Sequence, residues 1–219
     1  MSGNSIRYFI DCMPLDAKGS GVTLANLPPN IIDRIEIYKG VVPAHLGTDA
    51  LGGAVNIITN QQKKNFLDAS YSIGSFHTHQ FNVNGQYVTP KAGIIVKPTL
   101  SVNYSKNDYK VKNVEVWNEE KGKYVYEERK RFHDDYFSLL GQVEVGVTNK
   151  KWADNFFVTA SYSKTDKELQ TGSLQSWVYG MAERNTNSAN VSVRYNKTDF
   201  LVKDLDVHAS LSQTWDHSQ

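Results

Sequence analysis

Histidines, carboxylates and small-residue loops are the places where this sequence could do chemistry. His77 and His79 stand two apart. On a strand they would share a face and could ligate a metal, but one pair gives two ligands where a closed zinc site takes four. They read better as polar residues at a sheet rim. His133–Asp134–Asp135 reads as the base of a long loop, and His45 as the filling of a turn. Lys18–Gly19–Ser20–Gly21 is small and flexible enough to cradle a phosphate, yet the glycine spacing and following Lys–Ser/Thr of that motif are missing. Cys12 is the sole cysteine, which excludes a disulfide framework and any multi-cysteine zinc site. There is no nucleophile-elbow spacing and no His–Glu–x–x–His. We therefore assign no catalytic residue, metal ligand or cofactor, and expect a protein that is not an enzyme.

Charge and aromatic content point to binding instead. Residues 110–135 hold seven basic side chains (110, 112, 121, 123, 129, 130 and 131) and seven acidic ones (115, 119, 120, 127, 128, 134 and 135). Such cancellation describes a solvated face rather than a nucleic-acid patch. Across the chain, 24 Lys and Arg meet 23 Asp and Glu, a net charge of +1, so no nucleic-acid partner is expected. Val114–Trp117 and Tyr124–Tyr126 flank Lys121–Gly122–Lys123, which predicts a hairpin. Trp117, Tyr124, Tyr126, Trp177 and Tyr179 could stack on a ligand from such loops, and rim packing explains them equally well.

Two textures position these residues. Up to about Asn60 the chain is rich in Gly, Pro and Ile and reads as mixed α/β. Ile6–Ile10 is a short strand; Pro28–Pro29 either ends a helical turn or opens a short helix through Ile32 and Arg34. Arg34–Tyr38 and Ala54–Thr59 are strands. After Asn65, period-two alternation takes over. Leu67–Ile73, Gln80–Tyr87, Leu100–Ser105, Phe137–Val145, Phe156–Ser163, Ala189–Asn196 and Leu205–Ser212 each carry an apolar face and a small, mostly uncharged polar face. No signal-peptide pattern opens MSGNSIRYFID, and a mean hydropathy of −0.47 without a long apolar run leaves no transmembrane helix. A membrane β-barrel remains open, because its strands average out as polar.

Connection lengths favour that barrel over an aqueous sandwich. Turns at 89–93, 148–154 and 196–199 are short, whereas 106–135 and 164–188 are long excursions. Short turns on one side and long loops on the other mark outer-membrane barrels. Gly74–His79 is the exception, being short on the long-loop side. About seven strands cannot close a barrel, so the chain is expected to be a fragment, open at both ends.

The run Ile31–Thr59, IIDRIEIYKGVVPAHLGTDALGGAVNIIT, resembles the end of the plug domain of TonB-dependent outer-membrane receptors. The matching positions are Asp33, Arg34, Glu36, Lys39, Gly40, Gly47, Gly52, Gly53 and Asn56. YFIDCMPLD upstream also looks like the family's strand and turn, with Cys12 where glycine is usual. Lys39 stands where the family often has Arg, and His45–Leu46–Gly47 where it has Leu–Tyr–Gly.

This resemblance implies the C-terminal part of a plug over residues 1–60 and the N-terminal part of a transmembrane barrel over 66–219, a fragment of a 22-stranded plugged barrel. It implies active uptake of a siderophore-iron or vitamin-like ligand across the outer membrane of a Gram-negative bacterium. The implied partners are outer-membrane lipid, that small extracellular ligand, and TonB with its inner-membrane energising complex, whose binding box is not in this sequence. Arg34, Glu36 and Lys39 become candidate plug-to-wall contacts, with solvated surface charge as the bland alternative. Gly40 and Asn56 join them as plug-motif and plug-to-barrel positions, and Gly47, Gly52 and Gly53, in the same motif, read as structural, for turns and close backbone approach. Lys18 and Ser20 fall where the family places a ligand-facing apex. An uncoupled outer-membrane channel or adhesin, or a soluble β-rich binding module, are the competing readings.

Overall fold

A computed structural model describes residues 6–15, 24, 27–43, 46, 52–59, 65–90, 93–171 and 178–219. Among them the chain is almost entirely β. A small mixed sheet comes first: β1 (Ile6–Ile10), β2 (Met13–Pro14), β3 (Ile32–Tyr38) and β4 (Gly53–Thr59), ordered β2-β1-β4-β3. β4 runs parallel to β1 and antiparallel to β3. Among the described residues the expected helical character of this part reduces to 3-10 geometry, with a complete turn at Pro29–Ile31. Pro28 stays extended and Pro29 supplies the first helical position. The turn ends at Ile31, short of Arg34, because Ile32 already pairs with Thr59.

The second sheet has seven antiparallel strands and is open. They are β5 (Phe66–Gly74), β6 (Thr78–Val88), β7 (Ile94–Ser105), β10 (Tyr136–Thr148), β11 (Asn155–Glu168), β12 (Glu183–Lys197) and β13 (Val207–Ser218), in the order β13-β12-β11-β10-β7-β6-β5. Between β7 and β10, the hairpin β8 (Lys110–Asn118) and β9 (Lys123–Lys130) forms around Lys121–Gly122 as expected.

Three boundaries differ from the sequence reading. β7 starts six residues early, at Ile94: Pro98 is accommodated because the β6–β7 ladder is interrupted beside it, between Asn84–Thr99 and Tyr87–Val96. β11 and β12 run on to Glu168 and Glu183, so the excursion expected at 164–188 shrinks to 169–182. The turn expected at 196–199 extends to Asp206, with Asp199, Leu201 and Asp204 all at positive φ. Asp154, in the neighbouring turn, accepts from the Thr198 N–H and hydroxyl and from Lys197. That network holds its carboxyl well below the ordinary carboxylate range.

The faces of the large sheet are inverted relative to a protein in water. Its polar face is the buried one: Asn82, Asn84, Ser101, Ser138, Thr159, Ser163, Ser188, Asn190 and Ser192 are all buried. Its apolar face is exposed, through Phe81, Leu100, Val143, Val145, Val158, Tyr162, Val191 and Leu211. The small sheet lies against the polar side, where Ile10, Met13 and Ile31 meet Leu140 and Thr159 around a cavity of about 60 Å³.

Glycine is required where β4 starts. Gly53 has φ +135, and a Cβ there would stand 2.6 Å from the Tyr38 carbonyl oxygen. Gly53→Ala should cost at least about 1–3 kcal/mol, seen as a lower denaturant midpoint of the complete chain; an unchanged midpoint would refute that constraint.

Candidate functional site

The small sheet offers the large one a two-residue turn. β1 and β2 pair Ile10 with Met13, leaving Asp11–Cys12 between them with φ of 48° and 66°. Two positive φ values are the geometry of a type I′ turn, for which Asp-Gly is preferred. Asp tolerates the left-handed region, whereas Cys12 carries a Cβ penalty there that glycine would not.

The Ile31–Thr59 motif holds this turn. Asn56, fully buried, accepts the Cys12 N–H through Oδ1 at 3.1 Å and approaches Cys12 Sγ at 3.5 Å. The same Asn56 amide donates to Glu36 at 3.4 Å, and Glu36 also accepts from Tyr38 Oη at 3.0 Å and Arg34 Nε at 2.9 Å. The Tyr38 hydroxyl, more than the Arg34 guanidinium, holds the Glu36 carboxyl below its usual range. From β4, the Thr59 N–H and hydroxyl donate to Asp11 at 2.9 and 2.7 Å.

Asp11 then faces Arg194 of the large sheet. Arg194 Nη1 lies 3.4 Å from the Asp11 carboxylate and donates to the Asp11 carbonyl at 3.1 Å. Its Nη2 is 3.5 Å from Glu144, and Lys97 reaches the other Glu144 oxygen at 3.2 Å. Lys97, Glu144 and Thr159 are direct cross-strand partners on β7, β10 and β11. One row along, Gly146, Phe157 and Arg194 are partners on β10, β11 and β12. The Phe157 ring occupies the space that a Cβ on Gly146 would need. From there it lies 5.1 Å beneath the Lys97 ammonium and 5.5 Å beneath the Arg194 guanidinium. Two cations and two carboxylates thus meet in one buried junction. Burial pushes the Asp11 carboxyl up, but Arg194, Thr59 and Lys97 outweigh it, so it ends below its ordinary 3.8.

The expected site residues divide. Arg34, Glu36 and Asn56 are brought together, as the brace of the turn. Arg34 is exposed and pairs with Asp33 at 3.3 Å and Glu36 at 2.9 Å on its own strand. Lys39, Gly40 and Gly52 are exposed around the β3–β4 connection, while Gly53 is buried. Trp117 and Tyr124 are cross-strand partners in edge contact, centroids 5.1 Å apart, and line a groove of about 1050 Å³ with Arg129, Phe132 and Gln170. Tyr126 and Tyr179 are exposed beside it. Lys18, Ser20, Gly47 and Trp177, with His45, lie outside the described residues. His77 and His79 are not brought together: His77 sits in a turn at φ 56°, 3.6 Å from Asp108, and His79 meets the Tyr71 hydroxyl at 2.7 Å.

Asp11, Lys97, Glu144 and Arg194 were not singled out from sequence. For Lys97, Glu144 and Arg194 the signal was charge on a strand face made mostly of Ser, Thr, Asn and Gln; Asp11, in a turn, carried no such signal. Among the described residues one group could hold a metal ion, His133 with Glu168 and Glu183.

Comparison with known proteins bears on the same stretch. Residues 1–54 match the model of the TonB-dependent receptor plug domain. A vitamin B12 transporter, BtuB of Vibrio vulnificus (strain CMCP6), is 29% identical over 62 residues, covering 28% of this chain and 10% of that protein. Among solved structures, the siderophore receptor PiuA of Acinetobacter baumannii is 13% identical at a TM-score of 0.46, over 98% of this chain and 39% of that one. The ferric enterobactin receptor PfeA of Pseudomonas aeruginosa is 11% identical at 0.47, over 100% and 42%. The chain therefore spans less than half the length of the relatives it matches.

Arg194→Gln leaves the Asp11 and Glu144 carboxylates buried without their guanidinium, and should loosen the junction by about 3–5 kcal/mol. Faster proteolysis within residues 6–59 would report it, and adding Asp11→Asn should recover part of the loss. Because the folded Asp11 carboxyl titrates below its unfolded value, its contribution is complete above about pH 4 and fades as pH falls through the lowered value. Asp11→Asn should therefore blunt the acid sensitivity of the same proteolysis. Cys12→Gly should stabilise the chain by about 1 kcal/mol, read as a raised denaturant midpoint.

Proposed function

We propose that this chain, whose residues 1–54 match the plug domain of TonB-dependent receptors, works in TonB-dependent uptake. The site of action is the outer membrane of a Gram-negative bacterium. The cargo is a scarce extracellular ligand of the ferric-siderophore or vitamin class. Residues 1–60 are the plug portion in this reading and 66–219 the wall portion. TonB, driven by the inner-membrane energising complex, is the partner that moves the plug, and lipid is the solvent of the outer wall.

The observation that carries this reading is the inverted sheet, with its polar face buried against the small sheet and its apolar face outward. In water that arrangement leaves Leu100, Val143, Val158 and Val191 exposed for no return. In lipid the same residues are matched to their surroundings, and the buried Ser and Asn face becomes a lumen.

The junction chemistry supports a plug that moves. Its contacts are hydrogen bonds and ion pairs, which can exchange with water during displacement, whereas a dry apolar interface would have to expose greasy surface. Arg34 and Glu36 serve in this reading by bracing the Asp11–Cys12 turn. Trp117 and Tyr124, on the groove between the hairpin and Gln170, are the ligand-facing aromatics we would test first.

Val143→Lys separates the membrane reading from a soluble β-rich module. On a lipid face the charge should cost about 2–4 kcal/mol near the bilayer midplane; on a water-facing surface it should change stability by less than about 0.5 kcal/mol. Uptake of labelled ferric siderophore or corrinoid by cells bearing the complete receptor should require TonB. Equal uptake without TonB would favour an uncoupled channel.

A further inference from the structure

We propose that His133, Glu168 and Glu183 form a binding site for a divalent first-row transition metal on the long-connection side of the large sheet. The inference stands on this cluster's own geometry and does not depend on the uptake reading. Glu168 ends β11 and Glu183 starts β12, and the ladder sets them directly opposite each other. Like charges in that position repel, so the pair calls for a cation between them. Of the basic side chains near the pair, Lys167 and Arg131 are engaged with Asp134 at 2.6 and 2.9 Å, while Arg184 alternates with Glu183 along β12 and so starts toward the other face of the sheet.

His133 supplies the third ligand in a defined orientation. Its Nε2 lies 3.1 Å from the Ala182 carbonyl oxygen, which can only accept, so Nε2 carries the hydrogen. Its Nδ1 points at the Glu168 carboxylate, 3.4 Å away. With Nε2–H turned to the carbonyl, Nδ1 is the ring nitrogen left to bind a metal ion shared with the Glu168 carboxylate. Donation of the other ring N–H to a carbonyl is also the usual support of a metal-bound histidine.

The distances suit such an ion. Two ligands each about 2.0–2.1 Å from a tetrahedral zinc stand roughly 3.3–3.4 Å apart, matching the 3.4 Å between His133 and Glu168. All three ligand atoms lie within 4.8 Å of one another, with Glu183 the exposed member. The other two are held in place. Gln170 accepts the Phe132 and His133 N–H groups at 2.7 and 3.2 Å, and the Asp135 N–H donates to Glu168 at 3.0 Å. One imidazole with two carboxylates favours zinc or its first-row neighbours over magnesium or calcium.

The test is titration of the complete chain, purified in detergent, with Zn²⁺ by calorimetry and with Co²⁺ by visible absorption. One metal per chain is expected, with Co²⁺ giving the intense band of a four-coordinate site. Glu183→Gln and His133→Gln should each weaken Zn²⁺ binding by at least the roughly 10–100-fold that loss of a mere supporting partner costs. Glu115→Gln, on the separate hairpin, should leave it unchanged. Glu183→Gln alters an exposed side chain, so retained circular dichroism keeps that variant decisive if His133→Gln disturbs the loop. Absence of stoichiometric binding, indifference to Glu183→Gln, or equal displacement by Mg²⁺ would each overturn the proposal.

Discussion

Arg194 is the residue through which the two sheets of this chain know each other. It reaches from β12 to a turn 183 residues earlier in sequence, and its guanidinium addresses both the carboxylate and the carbonyl of Asp11. Almost every charge nearby is placed in relation to it. Glu144 accepts its second nitrogen, Lys97 offsets Glu144, and Phe157 provides the flat surface beneath both cations. Gly146 is bare so that Phe157 can lie there. On the other side, Asn56 and Thr59 hold the Asp11–Cys12 turn in a conformation that L-residues seldom adopt. A guanidinium that is planar and always charged suits this role better than an ammonium would.

Burying four charges together is seldom the cheapest way to stabilise an interface, since desolvation offsets much of the attraction. Its use lies elsewhere. An ionic junction is specific in register and tolerates water, so it can separate and re-form without exposing apolar surface. An apolar seam of equal strength would resist separation and would aggregate when opened. The inverted sheet sets the terms for this choice: most apolar side chains face outward, and Ser, Thr, Asn, Gln and a few charges, with Leu140 and Phe157 among them, are left to meet the small sheet.

The rim on the long-connection side has a different character. Carboxylates from β11 and β12 meet there because the strands run several residues beyond the alternating apolar stretch. The side-chain ladder of one strand pair therefore ends in ligand chemistry, beside a hairpin that carries aromatic residues in a groove. Junction and rim lie at separated levels of the same strands, one where Arg194 sits and the other where β12 begins.

Much of this was legible in the residues themselves. Period-two alternation from Leu67 to Ser212 fixes seven strands, because in a strand each side chain must choose a face. Lys121–Gly122 between aromatic runs fixes a hairpin, and the ordered run from Asp33 to Asn56 carries the resemblance to the plug domain. What alternation cannot say is which face is covered, since sandwich and barrel share the period. Nor can spacing show that Asp11 and Arg194 meet: contacts between distant segments follow from strand order and register, which no local pattern encodes. The same holds for His133, Glu168 and Glu183, which became neighbours only when the ladder carried β11 and β12 past the ends their hydrophobic pattern suggested. Local residue preference decided the elements, and the pairing of distant strands decided which charges face one another.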